Sequence, residues 1–284
     1  MLPNFLIIGA PRSGTTHLYK GLRQHPEIFM SDYKEPQFFA FEGYPRPGAL
    51  TDRSAYEALF DGAGTRKAAG EASTLYLWSE RAPEGIKKSI PNAKLIAILR
   101  HPAERAFSQY TFQRFLKTEP LDTFEDALAA EDRRRTEDVT PFMLYREVGL
   151  YGQQLPRYQD RFAPDQLLIL LQDDLESHPT AVFQQIFAFL GVNPEFLPDL
   201  RHKTNASGVP QNQTMFEAVK KAGRAVKRFL PETLATRLSG TAHETLLQRP
   251  DMHEETRANL IAYFRDDILK TQHLIGRDLS HWLK

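Results

Sequence analysis

The chain has 284 residues, of which 41% are hydrophobic and 25% are charged, so it can bury the core of one large α/β domain or two small ones. Its 36 Lys and Arg residues balance its 36 Asp and Glu residues. This balance argues against a general nucleic-acid or membrane-surface binder, and any anion site must be local. Cysteine is absent, which excludes disulfide scaffolds and thiolate metal sites.

The N-terminal residues MLPNFLIIGAPRSG predict a first strand rather than a signal peptide, because their apolar run is short and a glycine-containing turn follows it. No apolar run in the sequence approaches the roughly 20 residues that span a bilayer. We therefore expect a cytoplasmic protein without a transmembrane anchor.

Short apolar runs alternate with stretches of helical spacing, which is typical of parallel strands joined by crossover helices. The predicted strands are residues 5–8, 75–78, 95–99 and 167–171. The predicted helices are residues 15–24, 102–116, 150–161, 179–190 and 250–275. These elements indicate a single α/β domain over residues 1–284, in which helices flank a central parallel sheet to give three layers.

Two segments beyond the last predicted strand differ in composition from the rest. Residues 203–213, KTNASGVPQNQ, are polar with Gly and Pro and predict a loop. Residues 216–238 are basic and amphipathic, a pattern most often found on a solvated helix face. A lid over an anionic substrate, or a surface that meets a membrane or carrier protein, is the alternative. We expect a helical lid or insertion around residues 210–250.

Residues 5–16, FLIIGAPRSGTT, predict a strand, a glycine-containing turn and the start of a helix, an arrangement that binds phosphate. Gly9 and Gly14 have the spacing of a Walker A loop, but Thr15 stands where that loop has its Lys. The cationic charge comes instead from Arg12, within the loop. A glycine-rich turn alone is weak evidence, because many strand-to-helix turns need glycine for backbone geometry.

A second motif makes the interpretation specific. PRSGTT resembles the 5′-phosphosulfate loop of sulfotransferases that use 3′-phosphoadenosine 5′-phosphosulfate (PAPS), and LRHPAERAFSQY resembles their 3′-phosphate motif, with Arg100 followed by Ser108. Further resemblance lies in KEPQFF, GEASTLYL, GLYGQQLPRYQDRFAPDQLLILLQDDL and GRDLSHW, which span nearly the whole chain. The sequence is most similar to bacterial members akin to the carbohydrate and heparan sulfotransferase branch. The resemblance implies the sulfotransferase fold, which is similar to that of P-loop NTPases.

The catalytic base follows from the same resemblance. The branch that acts on phenols uses a His in a short motif after the second strand, and GEASTLYLWSE contains none. In the heparan branch the base is a Glu in a motif that resembles KEPQFF, which corresponds to Glu35 here. Ala72 stands where the heparan branch has a Lys in its GEASTLYL-like motif. An exposed Glu beside Lys34 would otherwise be explained as a solvated ion pair.

The resemblance implies a donor site, a catalytic pair and an acceptor cleft. The expected catalytic residues are Arg12 and Glu35, and Glu71 and Tyr151 are expected to line the acceptor cleft. The expected donor-binding residues are Arg12, Ser13, Gly14, Thr15, Thr16, Arg100, Ser108, Ser207 and Gly208. PAPS would be the co-substrate, 3′-phosphoadenosine 5′-phosphate (PAP) the product, and no metal would be needed. Arg105 and Trp78 are interpreted as structural residues.

Two alternative functions remain open from the sequence. A P-loop kinase or NTPase would use Gly9 and Gly14, with Asp173 as the metal-binding residue at a strand end. A non-catalytic module would bind the nucleotide without transferring sulfate. Outside any active site, Arg100 would pair with Glu104. The acceptor would be a hydroxyl of a carbohydrate, a glycolipid, a natural product or a carrier-bound hydroxyacyl chain, and no nucleic-acid partner is expected.

Overall fold

The structure is a computed structural model that describes residues 1–44, 46–137, 140–200 and 250–284, together with the strand pair at 209–210 and 247–248. The chain divides into two compact units. The first comprises Met1–Ala106, Arg146–His202 and Ala258–Lys284, and the second comprises Phe107–Tyr145 and Lys203–Arg257. The expectation of a single domain over residues 1–284 stays a prediction.

The first unit is built on a five-stranded parallel sheet in the order β2-β3-β1-β4-β5. Its strands are β1 (Phe5–Gly9), β2 (Ile28–Met30), β3 (Ala68–Ala72), β4 (Lys94–Leu99) and β5 (Leu167–Leu171). Every residue of β1 and β3 is buried, as expected for central strands of a sheet covered on both faces. The α/β class with a central parallel sheet and flanking helices is therefore confirmed.

The α-helices of the described chain fall between and after these strands. In chain order they are α1 (Thr15–Leu22), α2 (Phe38–Phe41), α3 (Arg53–Ala58), α4 (Ala82–Ser89), α5 (Pro102–Phe115), α6 (Phe124–Ala129), α7 (Glu131–Thr136), α8 (Tyr151–Gln159), α9 (Gln172–Ser177), α10 (Pro179–Leu190) and α11 (Glu254–Ile275). The boundaries between the two units fall within α5 and α11. No helix of the described ranges is both long enough and apolar enough to cross a membrane.

Three of the four predicted strands are confirmed, and one is wrong. Residues 75–78 form a buried turn in which Ser79 N donates to Leu75 O at 3.0 Å and Leu77 N donates to Ile8 O at 2.8 Å. The strand is instead β3, whose AAGEA sequence has no long apolar run. Glycine is required at position 70 because a Cβ there would come within 2.5 Å of the Phe5 ring. Residues 75–78 are apolar because they are buried, not because they belong to the sheet.

The five predicted helices are present, and residues 179–190 match α10 at both ends. The predicted helix 250–275 begins later, at Glu254. The strand β2 was not predicted, because three residues give too short a pattern to recognise. The basic segment 216–238, most of the polar loop 203–213 and nearly all of the predicted lid at 210–250 lie outside the described residues, so the lid stays a prediction.

The second unit has a polar cluster of its own. Arg134 Nη2 and Glu119 Oε1 are 2.7 Å apart, and both side chains are at most 5% exposed. The Tyr145 hydroxyl donates to Glu119 Oε2 at 2.6 Å. This unit also holds the antiparallel pair of β6 (Val209–Pro210) and β7 (Leu247–Gln248). Because the buried carboxylate of Glu119 has both a cation and a hydroxyl as partners, these contacts offset the free-energy cost of removing it from water.

Candidate active site

The phosphate loop follows β1 and ends where α1 begins. Gly14 caps α1 with φ 102°, a left-handed conformation that glycine adopts without steric cost. Its carbonyl accepts hydrogen bonds from His17 N at 2.9 Å and Leu18 N at 3.1 Å. The first turn of α1 carries no acidic side chain. The positive end of the helix dipole therefore lies at Thr15 and Thr16, where it favours an anion.

Three guanidinium groups come together beside this loop. Burial, followed by the nearby charges of Arg100 and Arg105, lowers the pKa of Arg12 to about 10. Arg100 Nη1 donates to the Arg12 carbonyl at 3.2 Å, which fixes the end of β4 against the loop. The Arg105 side chain is completely buried. Like charges this close repel one another unless an anion lies between them, so the cluster is suited to a multiply charged anion.

Arg105 was not among the predicted site residues. It was interpreted as a structural ion pair on a helix, yet its charge acts on Arg12. It lies in the first turns of α5, where Arg105 N bonds to His101 O at 2.9 Å. A signal was present, because Ala103 and Ala106 beside it predict a buried helix face on which an Arg needs an anionic partner.

The Glu35 carboxylate is held from two sides. Thr74 donates from its backbone N to Glu35 Oε2 at 2.8 Å and from its hydroxyl to both carboxylate oxygens at 3.1 Å. Lys34 Nζ lies 2.7 Å from Oε1, so the ion pair considered from the sequence is also present. The side chain remains 26% exposed. Glu35 is thus a fixed carboxylate that solvent or an acceptor can reach.

The backbone at both predicted catalytic residues is unusual. Arg12 has φ 65° and Glu35 has φ 63°, in the left-handed region that non-glycine residues rarely adopt. Such conformations persist only where surrounding contacts enforce them, and they concentrate at functional sites. The conformation of Glu35 is held by its backbone N–H, which donates a hydrogen bond to Ala72 O at 2.9 Å at the end of β3.

The loop and the carboxylate are linked through Gly9. A Cβ at this position would lie 2.7 Å from Leu77 Cβ and 3.0 Å from the Thr74 carbonyl oxygen, so only glycine allows the approach. Thr74 holds Glu35, and Gly9 begins the turn that leads to Arg12. The donor loop after β1 and the candidate base after β2 are therefore linked by the turn after β3, the strand that lies between them, at the edge of the sheet where parallel sheets place their ligands.

The two residues expected to line the acceptor cleft are buried. Glu71 is 0% exposed because it belongs to a strand covered on both faces, and it accepts a hydrogen bond from the Tyr56 hydroxyl at 3.2 Å. Tyr151 is 1% exposed, and its hydroxyl donates to Arg100 O at 3.0 Å. Their placement gives no support to direct contact with an acceptor, which stays untested.

Burial also changes the acidity of Glu71. Desolvation is the main cause that raises its pKa, to about 7, and the charge of Glu35 adds to it. Hydrogen bonds from Tyr76, Ser73 and Tyr56 act in the opposite direction. Glu71 is therefore a carboxyl group that changes charge near neutral pH beside Glu35.

The C-terminal motif packs against Tyr151 and the end of β5 in the first unit. Trp282 is 1% exposed, and its ring lies 6.4 Å from that of Tyr151. Trp282 Nε1 donates to Asp173 Oδ2 at 3.2 Å, and His281 Nε2 lies 2.9 Å from the same oxygen. Asp173, the metal-binding residue of the kinase alternative, is thus engaged by the C-terminal residues. In the described ranges, no group of three or more His, Asp or Glu residues is arranged to hold a metal.

The remaining predicted residues are placed only in part. Ser13 is buried in the phosphate loop. Ser108 lies on α5 in the second unit, and its carbonyl accepts from the Thr111 hydroxyl at 3.1 Å. Ser207 and Gly208 lie outside the described residues. The role of each in donor binding stays a prediction.

Comparison with known proteins agrees with this geometry. The model of the sulfotransferase domain family matches residues 2–222. The bifunctional heparan sulfate N-deacetylase/N-sulfotransferase 3 of Homo sapiens is 28% identical over 305 residues, covering all of this chain and 31% of that protein. Carbohydrate sulfotransferase 15 of Mus musculus is 30% identical over 251 residues, covering 68% of this chain and 44% of that protein. The chain thus spans about a third of the length of the first of these relatives and less than half of the second.

A solved structure matches along the full length. The sulfotransferase from Alicyclobacillus acidocaldarius superposes with a TM-score of 0.79 at 30% identity and covers 100% of both chains. The sulfotransferase domain from the curacin biosynthetic pathway, at 17% identity and a TM-score of 0.50, shares the fold. The resemblance drawn from PRSGTT and LRHPAERAFSQY is therefore confirmed, and this chain belongs to the sulfotransferase family.

Proposed function

We propose that the chain transfers a sulfuryl group from PAPS to an acceptor oxygen, with Arg12 and Glu35 as its catalytic residues. The observation that carries the proposal is the group of three guanidiniums at the phosphate loop, where burial and then the charges of Arg100 and Arg105 lower the pKa of Arg12 to about 10. PAPS bears a phosphosulfate and a separate 3′-phosphate, so it supplies the several negative charges that such a cluster needs.

The chain's own residues fit this donor. The amino end of α1 and Arg12 would bind the 5′-phosphosulfate, because both offer positive charge where β1 ends. Arg100 would bind the 3′-phosphate, since it follows β4, the neighbouring strand. Arg105 would add its buried charge between them. Ser108, Ser207 and Gly208 are proposed as further contacts by resemblance alone.

The reaction requires a base on one side of the sulfur and a charge-stabilising group on the other. PAPS supplies the sulfuryl group, and the bond from sulfur to the 5′-phosphate oxygen breaks as the acceptor oxygen attacks in line. Glu35 would accept the proton that leaves the acceptor. Arg12 and the N-terminus of α1 would stabilise the negative charge that develops on the departing phosphate. No step of this reaction uses a metal, and the independence of the activity from metals stays a prediction.

A carbohydrate is the acceptor class that the relatives' names favour. One relative is named an N-sulfotransferase of heparan sulfate and another a carbohydrate sulfotransferase. We therefore propose a sugar acceptor, with a hydroxyl as the reacting group and a sugar amine as the second candidate. Lipid-linked and carrier-bound alcohols remain alternatives from the sequence. A cytoplasmic location stays a prediction.

The test is a transfer assay with sulfur-labelled PAPS and a panel of hydroxyl-bearing and amine-bearing oligosaccharides. Wild type should label at least one of them, and Glu35→Gln should reduce labelling by about a hundredfold or more, the contribution typical of a general base. The control Glu57→Gln removes an exposed carboxylate of α3 and should label as wild type does. ATP-dependent phosphorylation of the same panel, without sulfate transfer, would overturn the proposal in favour of a kinase.

A further inference from the structure

Helix α8 contacts two of the segments that form the candidate site, and the proposed reaction gives it no task. Tyr151, its first residue, and Tyr158, seven positions later, lie on the same face, because seven residues make about two helical turns. Both side chains are at most 1% exposed. A buried hydroxyl is costly without a hydrogen-bond partner, and the partners of these two lie in different parts of the site.

The first tyrosine is bonded to the donor side. The Tyr151 hydroxyl donates to Arg100 O at 3.0 Å, directly after β4. Arg100 Nη1 in turn donates to Arg12 O at 3.2 Å, within the phosphate loop. A displacement of Tyr151 would therefore move the backbone that carries the Arg100 guanidinium and change its contact with the loop.

The second tyrosine is bonded to the turn that holds the candidate base. The Tyr158 hydroxyl donates to Tyr76 O at 2.7 Å. Its neighbour Arg157 donates from Nη1 to Trp78 O at 2.8 Å. Both carbonyls belong to the buried turn after β3, two and four residues beyond Thr74. Because Thr74 holds the carboxylate of the candidate base, the far end of α8 fixes the segment on which that base depends.

The start of α8 is fixed from another helix. Leu150 stands at the position before α8 and has no side chain that could cap it. Asp267 of α11 takes this part, since its Oδ2 accepts from Gly152 N at 2.9 Å. A Cβ on Gly152 would lie 2.8 Å from Asp267 O, so only glycine allows the two helices to approach this closely. A carboxylate at the amino end of a helix satisfies a free N–H group and complements the helix dipole.

We propose that α8 is a positioning helix for the transfer reaction, in which Tyr151 sets the donor side, Tyr158 sets the base and Asp267 fixes the helix start. This inference rests on the proposed function. Because the two hydroxyls bond to different segments, removing them has separable effects. Loss of the Tyr151 hydroxyl acts on donor affinity, and loss of the Tyr158 hydroxyl acts on turnover. A helix that only stabilised the fold would give no such separation.

The test compares Tyr151→Phe with Tyr158→Phe, each of which removes one hydroxyl and keeps the ring. Tyr151→Phe should weaken PAP binding by about three- to tenfold, as expected for one neutral hydrogen bond, and leave kcat at saturating PAPS unchanged. Tyr158→Phe should lower kcat by a similar factor and bind PAP as wild type does. The matched control is Tyr145→Phe, which removes a buried hydroxyl bonded to Glu119 in the second unit and should match wild type in both quantities.

Asp267 is tested by PAP binding alone. Asp267→Ala should weaken binding about as much as Tyr151→Phe does, whereas Asp267→Asn, whose amide oxygen can still accept from Gly152 N, should restore most of the affinity. The double variant of Asp267→Ala and Tyr151→Phe should lose less affinity than the product of the two single losses, because both act through the same contact with Arg100. Circular dichroism checks that each variant folds.

The outcomes separate this inference from the proposed function. Wild-type PAP affinity in Tyr151→Phe, or equal effects of the two tyrosine variants on affinity and on kcat, would overturn the positioning role of α8. A wild type that binds PAP and transfers to no acceptor would overturn the proposed function. The contacts of Tyr151 and Asp267 would still be tested in that case, because their effect on PAP affinity is measured without an acceptor.

Discussion

Thr74 donates two hydrogen bonds to the Glu35 carboxylate, one from its backbone N at 2.8 Å and one from its hydroxyl at 3.1 Å. This contact joins the turn after β3 to the loop after β2, which are neighbouring strands. Thr74 also lies close to the start of the phosphate loop, since a Cβ on Gly9 would come within 3.0 Å of the Thr74 carbonyl oxygen. The geometry of the candidate base and of the donor loop therefore depends on one short turn.

The contact between Thr74 and Glu35 gives the first prediction. Thr74→Val keeps the shape and the backbone N–H but removes the hydroxyl, so transfer should fall about tenfold, as expected when a hydrogen bond to a charged group is lost. Thr74→Ser should restore most of the rate. Steady-state kinetics at saturating PAPS measures the change, and an unimpaired Thr74→Val would contradict the positioning role.

The second prediction concerns Arg105, whose buried guanidinium acts on Arg12. Arg105→Met should weaken PAP binding by between about ten- and a hundredfold, since each charge-assisted hydrogen bond contributes about 1.5–3 kcal/mol. Arg66→Met, which changes an exposed arginine, is the control and should bind as wild type does. Circular dichroism checks that both variants fold. Wild-type affinity in Arg105→Met would show that Arg105 is structural.

The third prediction is a dependence of stability on pH. The pKa of Glu71 is raised by burial to about 7 in the folded protein and would be ordinary in the unfolded chain. The folded state then binds the proton more tightly than the unfolded chain does. The resulting contribution to the free energy of unfolding is fully present below pH 4.5 and is lost as pH rises through 7. The loss would be about 3 kcal/mol.

Urea unfolding of wild type and Glu71→Gln between pH 5 and pH 8 measures this contribution. As pH rises, the free energy of unfolding of wild type should fall relative to that of Glu71→Gln. A difference that stays constant over this range would mean that Glu71 has an ordinary pKa in the folded state.

The fourth prediction concerns the C-terminal motif. Trp282 is buried against His101 and Tyr151, with ring distances of 6.0 and 6.4 Å. Trp282→Ala should lower the free energy of unfolding by about 3–5 kcal/mol, as large-to-small core changes do. It should also weaken PAP binding, because Tyr151 contacts the Arg100 carbonyl.

The neighbouring His281 is the matched control. Its side chain is 52% exposed and its Nε2 lies 2.9 Å from Asp173 Oδ2, so His281→Ala should cost less than about 1 kcal/mol. An equal decrease in the free energy of unfolding of both variants would contradict this prediction, because it would mean that the contacts of Trp282 contribute no more than those of His281.

The sequence predicted those parts of the fold that depend on local patterns. β1, β4 and β5 are apolar runs bounded by turn residues, and α10 lies between Pro179 and Gly191, so their positions follow from the chain itself. β3 was not recognised because its AAGEA sequence has no long apolar run, and the Phe5 ring of the neighbouring strand leaves no room for a side chain at Gly70. No local pattern contains such a contact.

The parts of the candidate site that belong to a sequence motif could be predicted. The phosphate loop and Glu35 followed from PRSGTT and KEPQFF, and the structure holds both in left-handed backbone conformations. Arg105 was not predicted as a site residue because its charge acts on Arg12, more than ninety positions earlier in the chain, and no local pattern shows that proximity. Glu71 was expected to line the acceptor cleft, and its burial was not predicted because the covering of β3 on both faces is a tertiary property.

The central claim is that the three arginines form the donor site. Calorimetric titration of the protein with PAP and, separately, with ATP and magnesium tests it most directly, in wild type and in Arg100→Ala, and it needs no acceptor. We expect tight binding of PAP that chelation of metals leaves unchanged and that Arg100→Ala weakens by at least about tenfold. Preference for ATP with magnesium, or PAP binding that is unaffected by Arg100→Ala, would contradict the account.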